Sequence, residues 1–389
     1  ILENNMLRRN SFGQTSELTY QVGGHYLHSF GQLWFMPAEL TAGMEYLGSK
    51  LEDVSGYRDL GISQETRNAA AFLQNEWKTE RWSILLGGRL DKHNLLDKAI
   101  FSPRLNRRYS PRPDMNLRLT YSGGFRAPQV FDEDLHVDIA GGAQVIRRLS
   151  DDLREERSHS ISGSADLYHQ AGITLFNLLV EGFYTRLEQP FTGVKRGNEI
   201  LIENGDDGAK VFGVNLEGRA AIGTTVDLQA GATLQRSLYD KEHKWWEPEN
   251  SEEEALDRVT PTRRMMRTPD SYAYFVATWN ATRRFAATLS GNYTGNMAVP
   301  HEAGFGREGV DRFSPVNITE ETPSFFELNM RASYTFSLNE ETSLQLNAGI
   351  QNMTNAFQKD FDTGAGRASS YMYGPGSPRS IFAGFKLML

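Results

Sequence analysis

The feature that most constrains this chain is a strict alternation of apolar and polar residues over long stretches. In 326–336, Phe326, Leu328, Met330, Ala332, Tyr334 and Phe336 alternate with Glu327, Asn329, Arg331, Ser333 and Thr335. In 344–351, Leu344, Leu346, Ala348 and Ile350 alternate with Gln345, Asn347, Gly349 and Gln351. Near the end, Ile381, Ala383, Phe385, Leu387 and Leu389 share one face and leave Gly384 and Lys386 on the other. The same pattern runs through 117–125, 212–220 and 226–235. A period of two is that of a β-strand, whose successive side chains point to opposite sides.

Two properties separate these strands from those of a soluble sandwich. They run about ten residues or more, against a usual five or six, and about 9–11 tilted residues are what a bilayer crossing needs. Their polar face also carries Glu327, Arg331 and Lys386 in mid-strand. A dry core rejects such charges unless they are paired, whereas a water-filled interior accepts them.

Composition agrees with an all-β transmembrane antiparallel barrel. No apolar run approaches the ~18 residues of a membrane helix, and the mean hydropathy is −0.49. Both fit a barrel that is apolar only at alternate positions and polar in its loops. A net charge of −8 argues against general nucleic-acid binding. The absence of cysteine removes disulfide scaffolds and Cys-ligated metals. No repeat of 40–50 residues points to a propeller or solenoid.

Connection lengths give an independent signal. About fifteen strands are expected. Short links follow roughly Tyr168, Ala221, Asn280 and Phe336, and long ones follow Phe125, Ser237, Gly295 and Asn355. That is the pattern of tight periplasmic turns and long outer loops. The last strand follows a long loop and so runs towards the periplasm, as does the first, near 17–30. Single-chain bacterial barrels have even strand counts, and there is no signal peptide at the start. The expectation is a processed or truncated chain lacking its N-terminal part, or one completed by another polypeptide.

Short motifs sit on this framework. Residues 121–128 read YSGGFRAP, and Ser150-Asp151-Asp152-Leu153-Arg154-Glu155-Glu156 follows a loop. Asn204-Gly205 precedes Val211-Phe212-Gly213-Val214-Asn215-Leu216-Glu217-Gly218. Arg267-Thr268-Pro269 leads into a strand, and Gly349-Ile350-Gln351-Asn352-Met353-Thr354-Asn355 leads into the last loop. In order and spacing these resemble the TonB-dependent outer-membrane receptors, especially those of Bacteroidetes-like bacteria. Family members carry an F-R-A-P box, an N-P-D-L-x-x-E box, an N-x-G…G-x-E strand and a V-x-N-L-T-N box. The Asn-Pro pair of the second box is absent here, and the chain ends in Leu389 where many outer-membrane proteins end in Phe.

The resemblance implies a 22-stranded barrel closed by an N-terminal plug. Residues 1–389 would be its C-terminal part, with about 15 strands and no plug. It implies location in the Gram-negative outer membrane, surrounded by lipid. It also implies coupling to the TonB–ExbB–ExbD complex through the missing N-terminal region, and import of a scarce nutrient. An iron complex such as a siderophore, or cobalamin, leads. Haem, a glycan or a peptide, a passive porin and an adhesin are the alternatives, and a surface lipoprotein is a further possible partner. No Ser-His-acid set can be assembled from the sequence, so no enzyme, cofactor or metal site is expected.

Four loops supply candidate ligand contacts: 127–157 with His136 and Arg147, 239–269 with Trp245 and Trp246, 296–323 with His301 and Arg307, and 356–378 with Tyr371 and Tyr373. An exposed Trp pair can form a contact platform, but loop packing or interface anchoring is the preferred reading. Haem receptors resembling the family use a histidine between the first two boxes, where His136 stands. Ordinary framework is the preferred reading there too. Phe125, Arg126, Ala127 and Pro128, and Asn352 and Asn355, are expected to shape the structure rather than touch ligand.

Overall fold

The computed structural model describes residues 13–55, 61–130, 138–140, 143–196, 199–248, 250–306, 309–364, 366–368 and 370–388. Fifteen long strands form one antiparallel sheet in chain order. They are β1 (Gly13–Leu33), β2 (Met36–Ser55), β3 (Ile62–Lys78), β4 (Trp82–His93), β5 (Ile100–Arg112), β6 (Met115–Arg126), β7 (Glu156–Ala171) and β8 (Thr174–Glu188). The second half is β9 (Ala209–Ile222), β10 (Val226–His243), β11 (Ser271–Trp279), β12 (Phe285–Thr294), β13 (Phe325–Ser337), β14 (Ser343–Gln351) and β15 (Ser380–Met388). The count is that expected from periodicity. Among the described residues no pairing joins β1 to β15.

Register turns the alternation of single strands into a property of the whole sheet. Residues directly opposite one another in an antiparallel pair share a face. Leu289 opposes Met330, Met330 opposes Ile350, and Ile350 opposes Ile381. Upstream, Val180 opposes Leu216, Leu216 opposes Ala232, and Ala232 opposes Ala273. A one-residue slip anywhere would break this continuity. The large side chains on this face, such as Leu216, Met330 and Phe385, are exposed.

The other face is a lattice of polar contacts. Arg89 pairs with Glu45 at 2.7 Å and Asp91 at 2.9 Å. Asn177 Nδ2 donates to Asp166 Oδ1 at 2.6 Å, and Arg118 reaches the same carboxylate at 3.5 Å. Thr233 donates to Asn215, which itself donates to Glu181. Charges and amides satisfy one another across neighbouring strands on this face.

The links divide as expected. Segments 34–35, 79–81, 113–114, 172–173, 223–225, 280–284 and 338–342 join strands at one end. Gly172, with φ of +58°, makes the tight 172–173 turn that an ordinary residue adopts only with strain. Segments 127–155, 189–208, 244–270, 295–324 and 352–379 all lie at the other end. Two boundaries differ from the sequence reading. β1 extends beyond 17–30 in both directions, and β10 continues through 239–243. Both strands therefore project past the apolar zone.

Aromatic rings collect at the short-link end, a feature the alternation alone did not single out. Trp34 and Phe35 stack on Trp77, Trp82 stacks on Tyr109 at 4.2 Å, and Trp279 meets Phe285 edge-on. Rings with one apolar and one polar side suit the boundary between hydrocarbon and water.

Candidate functional site

Chemistry-bearing side chains gather where the long loops meet. Segments 127–155 and 189–208 form one group. Asn204 is its staple: its amide donates to the carbonyls of Arg154 at 3.1 Å and Gln189 at 3.0 Å, and its carbonyl accepts from Arg154 N at 2.6 Å. Strand 199–202 pairs in parallel with 146–149, and the Arg126 guanidinium lies 5.4 Å from the Phe191 ring centroid. Ala127 is buried. Phe125 and Arg126 are the last two residues of β6, and Pro128 follows in the loop.

The other three loops form a second, denser group. Asp257 and Arg258 pair with Asn317 and Ile318 of strand 317–321, whose residues 318–321 pair with strand 298–301. Lys244 Nζ binds Asp257 at 2.8 Å, holding that carboxyl below its usual range against the opposing effect of desolvation. The Trp245 indole donates to Thr319 Oγ1 at 3.0 Å, and Trp246 is buried. The pair therefore packs loop against loop. Arg264 bridges Glu321 at 3.0 Å and Asp270 at 3.3 Å. Arg267 donates to the carbonyls of Ser370 and Met372.

At the centre of this group stands His301. Its ring stacks on Tyr371 with centroids 3.5 Å apart. Its Nε2 donates to Asp362 Oδ1 at 3.0 Å, and Asp362 Oδ2 accepts from Ala368 N at 3.0 Å. Its Nδ1 has no hydrogen-bond partner among the described residues, with Glu320 Oε1 3.8 Å away. Val299, Ala368 and Tyr371 form a small buried core beneath it, with Met297 and Tyr373 packed against them. Tyr371 donates to Asp360 Oδ2 at 3.0 Å, and Tyr373 donates to the other oxygen of the same carboxylate.

The electrostatics follow from these contacts. Desolvation pushes the Asp360 carboxyl up, but hydrogen bonds from the Tyr373 and Tyr371 phenols, a backbone amide and Gln358 together outweigh it and hold the group below its usual range. Burial raises the Tyr371 phenol far above its ordinary value. Burial, and then the bond to Asp360, pushes Tyr373 up to about 12. Both phenols are therefore neutral donors at any physiological pH.

Beside this cluster the last loop encloses a cleft of about 780 Å³, lined by Phe357, Phe361, Arg367, Tyr371, Met372 and Tyr373. Aromatic walls with a few convergent polar groups are the usual lining of a small-molecule site. The residues proposed from sequence thus fall into three sets. His301, Tyr371 and Tyr373 come together. Trp245 and Trp246 lie in the same loop group but pack inside it. His136 and Arg307 lie outside the described residues, while Arg147 is placed by its backbone in strand 143–149. Arg267, Asp360 and Asp362 were missed, because nothing local marks a loop carboxylate as the partner of a distant ring.

Asn352 and Asn355 anchor the last loop. Asn352 is buried with φ of +47°. Its amide donates to the carbonyls of Ala356 and Ser377, both at 2.9 Å, and its carbonyl accepts from Ala356 N at 2.8 Å. Asn355 accepts from Arg379 N at 3.0 Å, tying the start of the loop to its return.

Comparison with known proteins places this architecture. A family model described as TonB dependent receptor-like, beta-barrel, matches residues 3–353. Comparison with curated proteins gave no match. Among solved structures, the siderophore receptor PirA from Pseudomonas aeruginosa is 14% identical with a TM-score of 0.65, covering 97% of this chain and 57% of that one. The ferric enterobactin receptor PfeA from Pseudomonas aeruginosa, as a mutant in complex with enterobactin, is 14% identical with a TM-score of 0.65, covering 96% and 54%. The ferric citrate transporter FecA is 12% identical with a TM-score of 0.64, covering 97% and 55%. The chain spans just over half the length of these proteins.

Proposed function

This chain belongs to the TonB-dependent receptor β-barrel family, and from that premise we propose that it forms the wall and outer mouth of an outer-membrane importer for an iron complex. The observation that carries the reading is the registered apolar face, with every elaborated loop at the end opposite the aromatic belt. Hydrocarbon covers that face, and water fills the polar side. The short links face the periplasm and the loop layer faces the exterior.

Within this proposal the sheet closes through further strands between β15 and β1, since unpaired edges are not tolerated in hydrocarbon. A plug domain fills the lumen, which would otherwise leak at this diameter. The TonB–ExbB–ExbD complex supplies energy from the inner membrane. Loops around His301 and Tyr371 hold the ligand over the plug until that energy shifts it.

The substrate class draws on two supports. The solved structures of similar fold are described as siderophore, ferric enterobactin and ferric citrate proteins. The cleft beside Tyr371 combines aromatic rings with Arg367, a lining suited to an anionic chelate. Cobalamin is the competing cargo. A deletion strain tests the assignment. Loss of growth on limiting ferric siderophore, with loss of ⁵⁵Fe uptake that a protonophore reproduces in the parent strain, is expected. A growth defect on limiting cobalamin alone would reassign the cargo, and uptake indifferent to the protonophore would remove the active-import reading.

A further inference from the structure

The register shows which side chains the hydrocarbon meets, and Arg107 stands out among them. On β5 the apolar face carries Phe101, Pro103, Leu105, Arg107 and Tyr109. Arg107 opposes Ile84 on β4 and Leu119 on β6. Other charges on this face lie towards the long-link ends, where pairs such as Arg67–Glu65, Arg186–Asp240 and Arg236–Asp270 neutralise one another. Arg107 lies near the short-link end and has no carboxylate partner among the described residues. Its guanidinium sits 4.7 Å over the Trp82 ring, itself stacked on Tyr109.

This position is informative. Ile84 opposes both Arg107 and Trp77, so the guanidinium lies at the depth of the aromatic belt. An Arg on the lipid face costs about 2–4 kcal/mol at mid-bilayer but only about 0–1 near the interface. At that depth the groups available to a planar, five-donor cation are lipid phosphates, which it grips in a bidentate manner. The Trp82 ring holds the guanidinium in place, and its N–H groups make no side-chain hydrogen bond among the described residues.

We propose that Arg107, on the Trp82–Tyr109 platform, binds the phosphate of a glycerophospholipid in the leaflet beside the short links. The proposal rests on the membrane placement argued above. It identifies one lipid site on a wall that otherwise meets lipid non-specifically.

The test uses the purified full-length protein in non-ionic detergent. It is titrated with dioleoyl phosphatidylglycerol or with dioleoylglycerol, which has the same chains and no phosphate, and retained lipid is measured by native mass spectrometry. Arg107→Gln is expected to hold the phospholipid about five-fold less tightly, the factor given by ~1 kcal/mol of headgroup attraction per basic residue. Dioleoylglycerol binding is expected to be unchanged, as is phospholipid binding by the polar-face control Arg331→Gln. Should Arg107→Gln not fold, Trp82→Leu removes the platform and is expected to weaken phospholipid binding in the same direction. Phospholipid retention equal to the parent protein in the folded variant overturns the site. Flotation of the parent protein with vesicles is measured alongside: failure to float removes the membrane placement and the site with it, whereas flotation with equal retention removes the site alone.

Discussion

The imidazole of His301 lies flat against the phenol of Tyr371, with the two planes 2° apart, although the residues belong to different loops. The contact, with the His301–Asp362 bond, ties segment 295–324 to segment 352–379. Removing the ring by His301→Ala leaves Tyr371 without its stack and Asp362 without one of its donors. Losing a partner of a buried polar group costs about 1–3 kcal/mol. The loss is expected in the loops rather than in the sheet. Amide exchange in 298–301 and 366–368 should speed up by about ten-fold or more, with exchange in β13 and β14 unchanged. Uniform acceleration across the sheet would show that the loop layer and wall unfold as one unit.

The Asp360–Tyr371–Tyr373 contact should make the loop layer sensitive at both ends of the pH scale. The Asp360 carboxyl is held below its usual range, so its contribution is complete above about pH 4 and is lost as pH falls through the depressed value. The phenols are raised, with Tyr373 at about 12. Their contribution is complete below about pH 10 and disappears as pH rises through the folded values. Ultraviolet titration should show late-ionising tyrosines, and one should disappear in Tyr373→Phe. Asp360→Asn should remove the acid-side loss, as read by protease nicking of 356–378.

Asn352 satisfies two carbonyls and one amide through a single side chain while adopting a left-handed backbone. Asn352→Ala leaves these groups unpaired and places a Cβ-bearing residue without local hydrogen-bonding at positive φ. A cost of about 3 kcal/mol is expected. Asn352→Gly relieves the backbone but not the hydrogen bonds, and so should recover about 1 kcal/mol of that. Equal stability of the two variants in urea titration would show that the backbone conformation contributes nothing.

These predictions divide along the line between what is local in sequence and what is not. Strand number, link alternation and the two faces were legible, because side-chain period and turn length are properties of neighbouring residues. Met330 faces outward for the same reason that Arg331 faces inward. The role of Asn352 and Asn355 in shaping the chain was suggested by the V-x-N-L-T-N resemblance, and the structure places both at hydrogen-bonded turns. The meeting of His301 with Tyr371, or of Trp245 with Thr319, had no local signal. Each depends on how separate loops fold back over the rim, and the short strands that organise them, such as 298–301 and 317–321, are too brief to show a period. The aromatic belt was hidden differently: Trp34 and Trp77, like Trp82 and Tyr109, are far enough apart in sequence that only the register brings their rings together.

Met330 and Arg331 provide the most direct test of the whole arrangement, since they are adjacent in sequence and opposite in environment. Met330 lies on the apolar face between Leu289 and Ile350, and Arg331 lies on the polar face opposite Thr288 and Gly349. If hydrocarbon covers the first face and water the second, Met330→Arg places a charge in the bilayer at a cost of about 2–4 kcal/mol. The converse change, Arg331→Met, puts a thioether in a wet interior and should shift stability by about 0.5 kcal/mol or less. Urea unfolding of the two variants in phospholipid vesicles reads the difference. Similar costs, or a larger cost for Arg331→Met, would mean that the apolar face does not meet lipid.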